Sequence, residues 1–114
     1  MFQIIVRTSF IAFHRWKEAP EEHKYLADLH RHTFNVEMRK EVQHEERDIE
    51  FIALRKEVDE FINKLLVQDE QTLEWSCEQW AEELCNVFYA DSVMVDEDGE
   101  NGAIYIYPHR RKKR

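Results

Sequence analysis

The sequence is short of chain-breakers: only two glycines and two prolines occur in 114 residues. That scarcity, with 43% hydrophobic residues, excludes a disordered or low-complexity chain and implies a compact, regular fold. Cysteine is scarce too. Cys77 and Cys85 stand eight apart in what reads as one helix, about 12 Å along its axis, too far for a disulfide between them. Reduced, cytoplasmic chemistry is the expectation. No apolar run approaches membrane-spanning length, and Met-Phe-Gln-Ile-Ile-Val-Arg lacks the basic start and small-residue cleavage site of a signal peptide. Basic charge is also lacking over most of the chain. The net charge is −8, yet Arg110–Arg114 alone holds five positive groups, so residues 1 to 109 carry 11 basic against 24 acidic groups, a net of −13. An acidic body is a poor nucleic-acid surface, leaving the tail at 109–114 as the one stretch suited to RNA or an acidic neighbour.

What remains is a single domain over 1–108, with alternating and helical patterns in a legible order. Residues 3–13 are rich in β-branched and aromatic residues and predict a strand, with Ile4, Val6, Phe10 and Ala12 on one face and His14 ending it on that face. A loop is expected to about Asp28, with a helical turn over 20–27 as an alternative. Residues 31–43 predict a second strand, pairing antiparallel with the first. Its inner parity is Phe34, Val36 and Met38; its outer parity, Thr33 to Glu41, is polar. Helical spacing of Phe51, Leu54, Val58, Phe61, Ile62 and Leu65 predicts a helix over 49–67, followed by a loop at 68–72. Ser76 and Gln79 have the spacing of a capping box, opening a second helix with Cys77, Trp80, Ala81, Leu84, Cys85 and Phe88 on one face. Strands are expected over 92–97 and 103–107, joined by the turn at 98–102. The fold class is therefore α+β: an antiparallel four-stranded sheet in the order β-β-α-α-β-β, with both helices on one face.

His30 and His32 share strand parity, and His14 ends the neighbouring strand on a matching face. Two histidines at a strand end are ordinary as partly exposed residues. Three at adjacent ends can instead bind one ion, and a three-histidine set leaves a fourth zinc position for water or substrate. His23 and His44 are spare candidates in charged segments, and His109 precedes the tail. Glu97 ends its strand on the parity of Val93 and Val95, an inward carboxylate in need of a partner.

The residues Phe10-x-Ala12-x-His14 and Leu29-His30-x-His32-x-Phe34-x-Val36-Glu37 resemble the zinc site of the 6-pyruvoyltetrahydropterin synthases and 6-carboxytetrahydropterin synthases, the latter acting in 7-deazapurine (queuosine) biosynthesis. Asp48-Ile49-Glu50-Phe51-x-x-Leu54-Arg55 resembles that family's Asp-Phe-x-x-Leu-Lys helix start. Ser76-x-Glu78-x-x-Ala81 resembles its Pro-Thr-x-Glu-Asn-Leu-Ala motif, and Val93–Glu97 its strand ending in a ring-binding Glu. The resemblance runs from about residue 4 to 107. It implies the tunnelling fold (T-fold), sheets joined between subunits, a homohexamer with sites at subunit interfaces, and Zn²⁺ held by His14, His30 and His32. It also implies a pterin ring held by Glu97, and carbon–oxygen lyase chemistry on dihydroneopterin triphosphate. The departures are specific. The family's usual catalytic Cys falls at Leu26, beside Tyr25; its Asp-His pair falls at Asp69-Glu70; and Arg31 stands between the two histidines. Some relatives use a Glu in place of the Cys, which makes Glu21 and Glu22 candidate substitute bases. Three readings follow: a zinc-dependent lyase using Asp69, Glu70 and Glu22; a non-catalytic T-fold module for a pterin- or purine-like ligand; or an interaction protein with structural histidines.

Overall fold

The computed structural model describes residues 1–108; His109 and the basic tail lie outside the described residues. Its elements are β1 (Phe2–His14), β2 (His30–Val42), α1 (Phe51–Gln68), α2 (Cys77–Phe88), β3 (Ser92–Glu97) and β4 (Asn101–Ile106), with 3₁₀ turns at Glu21–Ala27 and Glu70–Glu74. The four strands make one antiparallel sheet in the order β1-β2-β3-β4. The expected α+β order is therefore present.

Strict alternation does the sorting. In β1 the even positions Val6, Thr8, Phe10, Ala12 and His14 are buried and their odd neighbours are not. In β2 Phe34, Val36 and Met38 are buried, while Arg31 and Arg39 face water. The register is continuous for thirteen residues, pairing Phe10 with Phe34, Ala12 with His32 and His14 with His30. Three histidines are thus carried to one end of the two strands.

α1 and α2 pass from β2 to β3 across the inner face of the sheet. α1 buries Leu54, Val58 and Ile62, each one helical turn from the next, and packs on β1. Thr8, buried on that face, donates its hydroxyl to Asp59 at 2.5 Å. α2 opens with the expected capping box: Ser76 accepts from the Gln79 amide, and Gln79 accepts from the Ser76 amide. It buries Cys77, Trp80, Ala81, Leu84 and Cys85 against β3 and β4. Trp80 is fully buried, its ring 4.8 Å from those of Phe10 and Trp75.

Several boundaries differ from the sequence reading. α1 starts at Phe51 because Glu50 caps it, accepting from the Ala53 amide, and Phe51 stays half exposed in the first turn. The loop after α1 is a 3₁₀ turn nucleated by Asp69, whose carboxylate accepts from the Gln71 amide. β4 begins at Asn101, with Gly102 inside the strand. A Cβ at Gly102 would strike the Val95 carbonyl oxygen, so only glycine lets the strands lie this close. The turn 98–100 has Asp98 and Gly99 at φ of 60° and 75°. No helix among the described residues is long and apolar enough to cross a membrane.

Candidate metal centre

His14, His30 and His32 meet where β1 ends and β2 begins. Their ring centroids lie 4.5, 4.9 and 5.1 Å apart, the planes nearly perpendicular to one another. One ring nitrogen from each lies within 4.8 Å of the other two.

Each ring is oriented from behind. His14 Nδ1 donates to the Trp75 carbonyl oxygen at 3.1 Å, and His30 Nδ1 to the Asp28 carbonyl oxygen at 2.7 Å. His32 Nδ1 lies 2.6 Å from Asp98 Oδ2. Backbone carbonyls only accept, so Nδ1 carries the proton in His14 and His30 and Nε2 keeps the lone pair. This outer arrangement is the usual one for metal-ligating histidines: it fixes tautomer and ring direction, and leaves Nε2 for the ion. His14 Nε2 is buried and has no hydrogen-bond partner. Glu97 Oε2 lies 3.2 Å from it, but not in hydrogen-bonding geometry. Burial, the largest cause, lowers the pKa of His14, which keeps the ring neutral and fit to ligate. The three histidines can hold a metal ion; imidazole donors suit zinc, copper, iron or nickel.

Asp98 was read in the sequence only as part of a turn. Its Oδ1 accepts from the Thr33 amide at 2.8 Å while Oδ2 holds His32, and its own amide donates to the Thr33 carbonyl at 2.7 Å. The Thr33 amide first, then His32, holds its carboxyl below the usual value. Its position follows from the β2–β3 register, which pairs Phe34 with Glu97 and so sets residue 98 beside Thr33. An Asp-Gly turn directly after the Glu97 strand was the available signal.

A cleft of about 630 Å³ opens beside the histidines, with Trp16, Leu26, Trp75, Cys77 and Glu97 among its walls. Its size is that of a small-molecule site. Glu97 faces the cleft as its strand parity predicted, with its side chain about one-third exposed. Arg15 donates to Glu74 at 2.6 Å on the cleft wall, and this bond is the main cause of the lowered Glu74 pKa. Burial, then the Glu97 charge, pushes the Cys77 thiol up to about 12, so it stands in the wall as a protonated, inert group.

The remaining candidates lie apart from the triad. Leu26 does line the cleft. Asp69 caps the 3₁₀ turn and shares with Glu70 a separate cleft of about 270 Å³ beside Ile11 and Phe13. Glu22 is exposed on the 3₁₀ turn Glu21–Ala27 and lines neither cleft. His23 stacks on Trp16, and His44 lies 3.7 Å from Asp48. No protein-family model matches the chain, and no curated protein matches it in sequence.

Proposed function

We propose that the chain is a zinc-dependent protein of the 6-pyruvoyl/6-carboxytetrahydropterin synthase type. It would adopt the T-fold and act as a carbon–oxygen lyase on dihydroneopterin triphosphate or a related pterin- or purine-like compound in the cytoplasm, as in 7-deazapurine biosynthesis. The observation that carries this reading is the convergence of three back-bonded histidines, two of which line a cleft, on the strand positions where the resemblance puts its zinc ligands. A bound Zn²⁺ would supply Lewis-acid polarisation of substrate hydroxyl or carbonyl oxygens. The chain supplies the rest. Trp16, Trp75 and Leu26 offer apolar walls for a flat ring, and the Glu97 carboxylate offers two acceptors to adjacent ring N–H groups.

The assembly is proposed from the sheet. β1 and β4 are its two edges, and Ile11, Phe13, Ile104 and Ile106 stand exposed on β1 and β4. Closing such sheets into a barrel between copies removes the edges and covers those side chains. A homohexamer is the assembly the resemblance implies. Asp69, Glu70 and Glu22 lie away from their own triad, so a proton-transfer role for them requires a neighbouring copy to bring them to it.

The second reading, a non-catalytic T-fold module, is favoured by two observations. Leu26 is an apolar cleft residue at the position of the usual Cys, and the Asp69 carboxylate already serves as a cap. Incubation of the zinc-loaded chain with dihydroneopterin triphosphate, read by mass spectrometry, separates the two. Product formation supports the lyase, and binding without turnover supports the module. Neither binding nor turnover would remove the pterin reading.

A further inference from the structure

Beside the histidines, one carboxylate faces two ring nitrogens across a short gap. Glu97 Oε2 lies 3.2 Å from His14 Nε2, and Glu97 Oε1 lies 3.7 Å from His32 Nε2. The Trp75 carbonyl can only accept, so His14 carries its proton on Nδ1 and its lone-pair nitrogen lies beside the carboxylate, off the line of a hydrogen bond. Asp98, bonded to His32 Nδ1, imposes the same polarity on that ring. Two lone-pair nitrogens this close to a carboxylate repel it unless a cation or a proton is shared among them. The backbone holds Glu97 there nonetheless. It ends β3 opposite Phe34, and the next amide, Asp98 N, donates to the Thr33 carbonyl at 2.7 Å.

The Glu97–His14 and Glu97–His32 spacings match those of ligands that share one ion, although only the three histidines each bring a donor within 4.8 Å of all the others. With metal–ligand bonds of about 2.1 Å, neighbouring donors in a tetrahedral site stand about 3.4 Å apart. Glu97 approaches from the His14–His32 side and also lines the cleft, so its carboxylate borders both the ring nitrogens and the space a ligand would fill. We propose that Glu97 is a fourth protein ligand of the metal while the cleft is empty. The resting centre is then a closed set of three histidines and one carboxylate, and Glu97 must leave it when an oxygen donor enters. This rests on the metal-site reading above. Its consequence is that one side chain serves two partners: on release from the ion, the Glu97 carboxylate becomes free to accept from donors on the incoming molecule. Access to the metal is thereby coupled to recognition of the ligand.

The test uses the intact chain, stripped of metal and titrated with Co²⁺, whose visible absorption reports its ligands. Azide is then added as a small anion that binds only at an open position. The wild-type spectrum is expected to stay unchanged, and that of Glu97→Gln to shift. The affinity of the variant for Zn²⁺, measured against a chelator, is expected to fall at least about tenfold, the lower end of what even an outer partner of a ligand contributes. Glu97→Ala replaces Glu97→Gln if circular dichroism shows the latter unfolded. A wild-type spectrum that shifts with azide as readily as the variant's overturns the proposal and leaves the three-histidine site standing. Failure of the folded wild type to bind Co²⁺ overturns the metal reading and the proposal together.

Discussion

Replacing Asp98 with asparagine separates the two tasks of that side chain without changing its size. The carboxylate accepts from the Thr33 amide with one oxygen and from His32 Nδ1 with the other. Asparagine has a single acceptor oxygen, so it can satisfy one donor and must turn an NH₂ group toward the second. If the oxygen stays with Thr33, the amide group faces the His32 N–H, and the ring must rotate or move its proton to Nε2, the nitrogen needed for the ion. The backbone is not the cause of any loss, because asparagine tolerates the left-handed conformation held at φ 60°. Outer partners of ligating histidines are worth about 10- to 100-fold in metal affinity, and Asp98→Asn is expected to fall in that range. A chelator-competition titration with Zn²⁺ on both proteins measures it, with circular dichroism to show an unchanged fold. An Asp98→Asn protein that binds Zn²⁺ as tightly as the wild type would refute the idea that Asp98 sets the His32 tautomer.

Other consequences follow from burial. His14 has a folded pKa below its ordinary 6.5, so as pH falls the unfolded chain takes up the proton first. The metal-free chain therefore keeps this contribution to stability above about pH 6.5 and loses it as pH falls toward the lowered folded value. Melting temperature should fall more steeply toward acid for the metal-free wild type than for His14→Gln across that range; parallel profiles would contradict the assignment. Cys77, held at about 12, should resist alkylation by iodoacetamide in the native state near neutral pH and react on unfolding; rapid native labelling would contradict its burial. Leu84 is fully buried in α2, and Leu84→Ala should cost about 2–5 kcal/mol in urea unfolding. A loss well under that range would mean that α2 is less tightly packed than its burial shows.

The parts of the fold that could be read in advance were those in which one residue type reports one environment. Alternation in β1 and β2 identified the inner faces because a strand repeats every two residues, and that parity put His30 and His32 on the side of Phe34. Ser76 and Gln79 revealed the start of α2 because their side chains bond the backbone within one turn. The outer partners of the site were less legible. Trp75 and Asp28 act through carbonyl oxygens, which any residue supplies, so nothing in their side chains marks the role. Asp98 depended on the register between β2 and β3, two strands joined through both helices, which local patterns do not set. Asp69, which the resemblance puts in a proton-transfer role, also accepts from the Gln71 amide at the start of a 3₁₀ turn, a local bond that its polar surroundings do not mark.

Zinc stoichiometry decides whether the three histidines form one metal site. Elemental analysis of the chain purified without chelators, alongside His30→Ala, His14→Ala and His32→Ala, measures whether the three rings act as one site. One zinc per wild-type chain is expected, with stoichiometric zinc lost from every single variant. Stoichiometric zinc retained by a folded His30→Ala chain, or a wild-type chain that takes up no metal, would contradict this expectation.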